Sequence, residues 1–464
     1  MTKKIGIVIL LLLVVFYYIY GTQVDIPKYE NLKIIGTAGL IQFVLSIYLS
    51  LQNGQKIISP YIIFLIAMYL FQTGQSLMYP FDIVTERDLV GFYGITVGGV
   101  FNAQLISFSF LSFFQIGSLA YNPKSIQNIA YNSNFDYQNK RIIHIGWFIV
   151  IISVYPYYNE LIQNAILSMT KGYGALYEGE EKVGISNLQG ILADYFIPAM
   201  ICLFIGYRKK KWERIAVSAV LLLNSIIILI TGGRTEAVII MALILILHNY
   251  LVKSFSKKDL IVIGGASLMV LTLLSGISKM RSETSRDIKD TFIIQSNDDE
   301  DPIADAIGEM GGSMFCQIWT EEILSRTNDY RLGTSYAYSL TSIIPNLGFW
   351  DIHPAKEHAN LGHWLTQEKG LSFGTGYSMI AEAYINFWIF GALFMFLLGY
   401  VATAIFGRLD NAITVGNIAF TAFILILFWF SMKLPRNSFI GVVRAIFYFS
   451  LPICWYTRGY ILKR

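Results

Sequence analysis

Twelve long apolar segments run through the sequence, and they leave few ways for this chain to fold. A helix needs about 20 mostly apolar residues to cross the ~30 Å hydrocarbon core of a bilayer. Charged residues are 14% of the chain, well below the roughly one quarter typical of soluble domains. The pattern therefore predicts an all-α polytopic membrane protein with about twelve transmembrane helices. The segments are 5–20, 33–51, 58–72, 95–119, 142–158, 188–206, 213–230, 236–252, 259–278, 379–405, 412–431 and 437–457.

Basic residues on alternate connections orient these segments. Short cytoplasmic loops retain Lys and Arg. With the amino terminus inside, the strongly basic connections, such as 208–211, all lie on the cytoplasmic side, and so does the carboxyl-terminal tail. The opposite connections are acidic, as in 298–301. Both termini are therefore predicted to be cytoplasmic.

The same count leaves one large loop, 279–378, outside the cytoplasm. We expect it to separate helices 1–9, in residues 1–278, from helices 10–12, in residues 379–464, within a single integral membrane domain. Long loops are often functional. Two apolar stretches in this loop, 303–319 and 336–344, are too short or too polar to span a bilayer. They predict short amphipathic helices on the outer surface, in a loop that covers the membrane face like a lid.

The connection 231–236, TGGRTE, places Arg234 and Glu236 between two of the apolar segments. Such a short connection holds the guanidinium at the level of the lipid head groups. A guanidinium there suits phosphate, because its planar fork matches the oxygen atoms of the anion. Arg234 is therefore the first candidate for the functional site.

Other ionisable residues lie within predicted helices or at their ends. Such residues are costly in a bilayer and suggest function. Asp194 and Arg444 fall at similar depth, roughly 10 Å below the outer surface at 1.5 Å per residue. Glu382 begins the tenth helix and Arg436 begins the twelfth. The predicted topology places all four on the outer side, with Arg234 and Glu236.

Structural explanations compete with functional ones at most of these positions. Asp194 and Arg444 fit an ion pair between two helices equally well, because buried charges are usually paired. Glu236 fits an acid that the helix dipole favours in a first turn. Arg436 fits an interfacial residue, and Arg281, just beyond the ninth segment, fits a side chain that snorkels to the membrane surface.

Neither a disulfide framework nor a metal site is predicted. The three cysteines are scattered through the chain, and the three histidines at 353, 358 and 363 are spaced by five residues, unlike the spacing of four in a helical zinc site. No soluble-enzyme motif occurs in a suitable context. We therefore expect no cofactor and no nucleic-acid partner.

Three stretches resemble the Wzy-type polymerases that build O-antigen and capsular polysaccharide from repeat units. They are ILITGGRTEAVII at 228–240, GTGYSMIAEAYINFWIFGALF at 374–394 and LPRNSFIGVVRAIFYF at 434–449. Many spans, a large late outer loop and outward-facing arginines are also similar to that family. One departure is Trp388, where the family pattern suggests glycine.

The resemblance implies a GT-C-like membrane glycosyltransferase in the bacterial cytoplasmic (inner) membrane. It would be independent of metal and would use undecaprenyl diphosphate-linked oligosaccharides. At the outer leaflet, the enzyme would move the growing chain from its lipid diphosphate onto a new lipid-linked repeat. A chain-length regulator and a repeat-unit flippase are the implied protein partners.

Roles for the candidate residues follow from this chemistry. Guanidinium groups can neutralise a leaving diphosphate, and the accepting sugar hydroxyl needs a base. We expect four arginines to bind the diphosphate, Arg234, Arg281, Arg436 and Arg444. Glu382 is the expected base and His363 its substitute, while Asp194 and Glu236 have structural or supporting roles.

Two alternatives remain open from the sequence. An O-antigen ligase, or another transferase of lipid-linked sugars, shares the architecture and the donor. A transporter or flippase with twelve spans would show an internal repeat that relates two halves. The large loop instead divides the helices into nine and three.

Overall fold

The computed structural model of the chain describes residues 3–90, 94–122, 135–171, 185–266, 307–308, 310–346, 349–371 and 374–458. Eleven helices in these ranges are long and apolar enough to cross a membrane. Each overlaps at least one predicted segment, which confirms the prediction of an all-α polytopic membrane protein. The remaining predicted segment, 259–278, is helical as far as 266, where the described residues stop. The eleven helices are Lys3–Gln23, Tyr29–Gln52, Pro60–Phe81, Val97–Ala120, Asp136–Ser168, Leu188–Gly206, Lys211–Thr231, Arg234–Leu251, Met379–Thr414, Ile418–Arg436 and Ile440–Arg458.

Breaks in some of these spans define shorter helices, which are numbered here in chain order. The first ten are α1 (Lys3–Gln23), α2 (Tyr29–Gln52), α3 (Pro60–Met78), α4 (Glu86–Val90), α5 (Val97–Ala120), α6 (Phe135–Lys171), α7 (Ile185–Asp194), α8 (Phe196–Gly206), α9 (Lys211–Thr231) and α10 (Arg234–Leu251). The others are α11 (Met314–Thr327), α12 (Thr334–Thr341), α13 (Pro354–Ala359), α14 (Leu361–Glu368), α15 (Met379–Phe387), α16 (Gly391–Phe406), α17 (Leu409–Thr414), α18 (Ile418–Ser431), α19 (Ile440–Arg444) and α20 (Leu451–Arg458).

The chain forms two compact units, each built from separate stretches of sequence. The first unit comprises Met1–Ile126, Ala304–Arg408 and Ser431–Val443. The second comprises Gln127–Ile303, Leu409–Phe430 and Arg444–Arg464.

Helix α5 is the centre of the first unit, where it packs against α1, α2, α3 and α16. Glycines let α5 and α16 approach each other until their backbones touch. A Cβ atom at Gly117 would lie 1.9 Å from the Phe396 carbonyl oxygen, and one at Gly399 would lie 1.9 Å from that of Phe114. Small residues permit such close helix packing in membranes.

Buried glutamines join the apolar helices of the first unit. The Gln42 carbonyl accepts a hydrogen bond from the Tyr17 hydroxyl at 2.9 Å, and its amide group donates to the Tyr69 hydroxyl and the Phe108 carbonyl, both at 2.9 Å. Gln115 likewise accepts from Tyr61 at 2.9 Å. Because these polar groups bond to one another, their burial adds specificity to the packing.

Helix α11, in the large predicted loop, is part of the packed structure. The loop contains helices as the sequence predicts, but α11 does not lie on a surface. It packs against α3, α5, α14 and α15, with Trp319 only 2% exposed and Gln317 fully buried. The apolar residues of this stretch therefore face other helices of the first unit.

The second unit is built around the long helix α6, which packs against α7, α8, α9 and α20. Small residues again allow close contacts, since a Cβ at Gly206 of α8 would meet Ile143 of α6 at 2.3 Å. Helices α9 and α10 pair in the same unit as an antiparallel hairpin. Its tip is the connection that carries Arg234.

Replacing Gly117 with alanine should destabilise the protein, because the added Cβ must push α5 away from α16. Overpacking of this kind costs about 1–3 kcal/mol or more. We expect the purified protein in detergent to melt at a lower temperature than the wild type. Gly190→Ala is the matched control, because no atom of the described residues lies within 4 Å of its Cβ position. Equal melting temperatures for the two variants would contradict the backbone contact.

Candidate functional site

Glu382 lies in the first turn of α15 and is fully buried. One carboxylate oxygen accepts a hydrogen bond from the Ser335 hydroxyl at 2.9 Å, and the other accepts from the Phe439 backbone N–H at 2.7 Å. A buried carboxylate is costly unless its oxygens are bonded in this way. Glu382 therefore fastens α15 to two distant parts of the first unit.

Asn386, one turn later on α15, completes this network. Its amide group donates to the Ser335 hydroxyl at 2.7 Å, and its carbonyl accepts from the Gly333 N–H at 3.0 Å. The turn at Gly333 has a φ of 87°, a conformation that glycine adopts without strain. The residues before α12 are thus held against α15 by two buried side chains.

Gln72 of α3 holds the segment 434–436 in place. Its amide group donates to the Pro435 carbonyl, while its own carbonyl accepts from the Ser378 hydroxyl. The Tyr377 N–H donates to the Arg436 carbonyl at 3.1 Å. The backbone of Arg436 is therefore fixed from two sides, while its side chain is exposed.

Aromatic and cationic side chains lie close to this segment. The Arg331 guanidinium lies 5.5 Å from the centre of the Trp364 ring, and that ring lies 6.5 Å from Tyr377. The Tyr377 hydroxyl hydrogen-bonds to Thr320 at 3.0 Å, and burial raises the tyrosine pKa well above its usual value. Flat rings and fixed cations of this kind can bind sugars and phosphate groups.

The Cys316 thiol contacts the same region but is not suited to nucleophilic chemistry. It donates a weak hydrogen bond to the Thr375 carbonyl at 3.8 Å. Burial raises the pKa of this thiol to about 12, although nearby Arg436 opposes the change. The thiol therefore stays protonated at neutral pH.

Glu321 on α11 is a second acidic residue that the sequence did not single out. It accepts a hydrogen bond from the Asn102 side chain at 2.9 Å, although the two residues are 219 positions apart. Burial raises the pKa of Glu321 to about 7, and the bond from Asn102 partly opposes this rise. Its position within an apolar helical pattern gave no sequence signal for such a contact.

Arg234 is the first residue of α10 in the second unit and is 8% exposed. Gly232, with a φ of 93°, ends α9 and makes the short connection possible. The Ser168 hydroxyl of α6 donates to the Thr231 carbonyl at 2.8 Å, which anchors the hairpin tip. Glu236 is half-buried in the first turn of α10. The arginine at this tip is thus built into a packed region of its unit.

Arg444 and Asp194 belong to the same second unit, and both are exposed. Arg444 ends α19, and a π-helix, Ala445–Ser450, follows it. The Tyr195 hydroxyl, next to Asp194, donates to the Tyr448 carbonyl at 2.7 Å. The chain around both charges is therefore fixed within this unit.

The structure describes one of the two remaining candidate residues, His363, but not the other, Arg281. His363 is exposed on α14, and its backbone N–H donates to the Asn360 side chain at 3.3 Å. Arg281 lies outside the described residues. Within the ranges that the structure describes, no three His, Cys, Asp or Glu residues are grouped to hold a metal ion.

Trp388 follows α15 with a φ of 51°, a backbone conformation that bulky residues rarely adopt. This is the position where the family pattern suggests glycine. The unusual residue therefore coincides with a backbone conformation that glycine would adopt without strain.

Glu382→Ala should lower the stability of the protein, because it leaves a buried N–H and a buried hydroxyl without their acceptor. Each unsatisfied group costs about 1–3 kcal/mol. Glu382→Gln should lose less, because the amide oxygen still accepts the Phe439 N–H. Thermal melting of the purified variants checks both, with Glu357→Ala on an exposed position of α13 as control. A Glu382→Ala protein that melts like the wild type would rule out the proposed network.

A comparison with known families matches residues 5–464 to the family described as O-antigen polysaccharide polymerase Wzy. No curated protein and no solved structure gives a significant match. The family match covers essentially the whole chain, including both units and every segment that carries a candidate residue. It agrees with the resemblance read from the sequence, and it favours a polymerase over a transporter. The chain therefore belongs to the Wzy family of O-antigen polysaccharide polymerases, multi-pass membrane proteins that act on lipid-linked oligosaccharide repeat units.

Proposed function

We propose that this polymerase takes the growing chain from an undecaprenyl diphosphate and transfers it to a new lipid-linked repeat unit. The reaction would occur at the outer face of the bacterial cytoplasmic membrane, to build O-antigen, capsule or exopolysaccharide. A chain-length regulator and a repeat-unit flippase belong to the same proposal as partners. Family membership and the predicted topology support this assignment.

The environment of Arg436 is the main observation in support of a lipid diphosphate as the donor. Its backbone is held by Tyr377 and by Gln72 through Pro435, yet its guanidinium is exposed. Because the backbone is already fixed, only the side chain has to lose conformational entropy when it binds an anion. The planar guanidinium can then form two parallel hydrogen bonds to a diphosphate.

The leaving diphosphate needs its growing charge neutralised as the glycosidic bond breaks. Arginine can supply this neutralisation, so we propose that the enzyme works without a metal ion. Arg234 and Arg444 of the second unit, and Arg281, stay predicted diphosphate ligands, and an alanine variant of each can be tested in the assay that is described below for Arg436.

Glu382 and His363 stay candidates for the proton acceptor. Full burial and two accepted hydrogen bonds favour a positioning role for Glu382, because neither oxygen is open to a substrate. In that role it would keep α15, and with it the region of Tyr377 and Arg436, in the correct geometry. His363 is exposed and open to a ligand.

Arg436→Ala should reduce polymer formation by about 10- to 100-fold, because a hydrogen bond to a charged group contributes about 1.5–3 kcal/mol. Arg436→Lys should recover only part of this loss, because lysine lacks the planar fork. The measurement is polymer length and initial rate for purified enzyme in liposomes with a lipid-linked repeat unit as the sole substrate.

Arg326→Ala is the matched control for this experiment. Arg326 lies on α11 in the same unit, is exposed, and pairs with Glu322 at 3.4 Å. It should polymerise at the wild-type rate. Wild-type activity in a correctly folded Arg436→Ala enzyme would refute the role of this arginine. If the wild-type enzyme needs a second, different acceptor, the function is that of a ligase.

Chelation of divalent cations with EDTA should leave the polymerisation rate unchanged, because guanidinium groups neutralise the leaving diphosphate in this proposal. The same liposome assay measures this. A rate that falls with EDTA and returns with added Mg²⁺ would contradict a metal-independent mechanism.

A further inference from the structure

The two carboxylate oxygens of Glu321 differ in their contacts with the described residues: one accepts a hydrogen bond and the other accepts none. Asn102 of α5 donates to Oε1 at 2.9 Å. The other oxygen, Oε2, is buried and accepts no hydrogen bond from the described part of the chain. A buried oxygen without a donor is costly in a resting protein, and its presence suggests a ligand that donates to it.

The neighbours of Glu321 on α11 differ from it, since each has its own partner. Thr320 pairs with Tyr377 at 3.0 Å, and Glu322 forms ion pairs with Lys369 and Arg326. Glu321 has no such cation within the described ranges. Asn102 therefore holds the Glu321 carboxylate in position without neutralising its charge.

Burial is the main cause of the raised pKa of Glu321, and nearby titratable groups contribute little to it. The elements packed against α11 are α3, α5, α14 and α15. Tyr384 of α15, a weak acid, is buried within electrostatic range of the Glu321 carboxylate. Lys369, just after α14, forms an ion pair with Glu322. Burial raises the pKa of Glu321 to about 7. A base with this pKa is deprotonated in a large fraction of molecules at neutral pH yet still binds a proton well.

Open space lies along the face of α5 that carries Asn102. Gly98 is one turn earlier on that face, and among the described residues only Thr96 Oγ1, at 3.9 Å, lies near its Cβ position. Next to it, Gly99 brings α5 against Ile318 of α11, with the Cβ position 2.9 Å from the isoleucine side chain. The close contact between α5 and α11 at Gly99 therefore lies next to open space at Gly98, and the partly exposed Glu321 is near this space.

We propose that Glu321 is the catalytic base that accepts the proton of the attacking sugar hydroxyl through Oε2. The inference rests on the proposed function. As the hydroxyl oxygen bonds to the anomeric carbon of the donor, its proton moves to Oε2. The bond between that carbon and the lipid diphosphate breaks, and the diphosphate leaves with the bonding electron pair. Glu321 then returns the proton to water, so atoms and charge balance.

Asn102 is a positioning residue in this proposal. Its hydrogen bond to Oε1 orients the carboxylate and stabilises the charged form. Glu382 in the same unit differs from Glu321, because both its carboxylate oxygens already accept hydrogen bonds from the protein.

The decisive variant is Glu321→Gln, which keeps the size of the side chain but accepts no proton at neutral pH. Loss of a general base typically lowers the rate about 10²–10⁴-fold. We expect kcat for polymerisation in liposomes to fall by at least about 100-fold while KM for the lipid-linked repeat stays unchanged. Glu322→Gln, one residue away and outside the proposed site, is the control and should keep wild-type activity.

The pH dependence separates catalysis from a structural role. The wild-type rate should rise with pH through about 7, because only the deprotonated carboxylate accepts a proton. This rise should be absent from the residual activity of Glu321→Gln. In Asn102→Leu it should move to higher pH, since loss of the hydrogen bond raises the pKa of Glu321. Melting curves establish that each variant is folded.

The outcomes distinguish this inference from the function on which it rests. A folded Glu321→Gln enzyme with nearly wild-type kcat would overturn the role of Glu321 while the polymerase assignment stands. If Glu321→Gln does not fold, an unshifted pH profile in Asn102→Leu overturns it instead. Failure of the wild-type enzyme to make polymer from lipid-linked repeats alone would refute the proposed function.

Discussion

The two hydrogen bonds to the buried Glu382 carboxylate determine how the first unit is organised around α15. A charge with no contact to water must be satisfied completely, so Ser335 and Phe439 have to lie where they do. Asn386 extends the same constraint to the turn at Gly333. Residues 47 and 57 positions away in the sequence are thereby fixed to one helix.

This organisation also explains how an exposed cation can be held in a fixed place. Arg436 lies three residues before Phe439, and Tyr377 and Gln72 hold the backbone carbonyls of Arg436 and Pro435. The two side chains that touch substrate in our proposal are therefore held by groups that do not touch it: buried Gln72 and Tyr377 support Arg436, and Asn102 orients Glu321. Such support is what a site needs if its charged groups are to act without rearrangement.

Sequence reasoning succeeded for the spans because one local property decides them. A bilayer requires about 20 apolar residues in every helix that crosses it, and this requirement is readable in each stretch separately. It failed for α11, whose apolar residues pack against other helices where a surface position was expected. It also missed Glu321, because the contact with Asn102 joins residues 219 positions apart and leaves no local pattern.

The sequence by itself determined the class of protein, the positions of the spans and the resemblance to Wzy polymerases, because hydrophobicity and short motifs are local. Only the tertiary structure decided the environment of each candidate residue. Glu382 and Glu321 are both acidic residues near apolar sequence. Glu382 has both oxygens bonded to protein donors, whereas one oxygen of Glu321 has no donor among the residues that the structure describes. This difference follows from which distant segments pack against each helix.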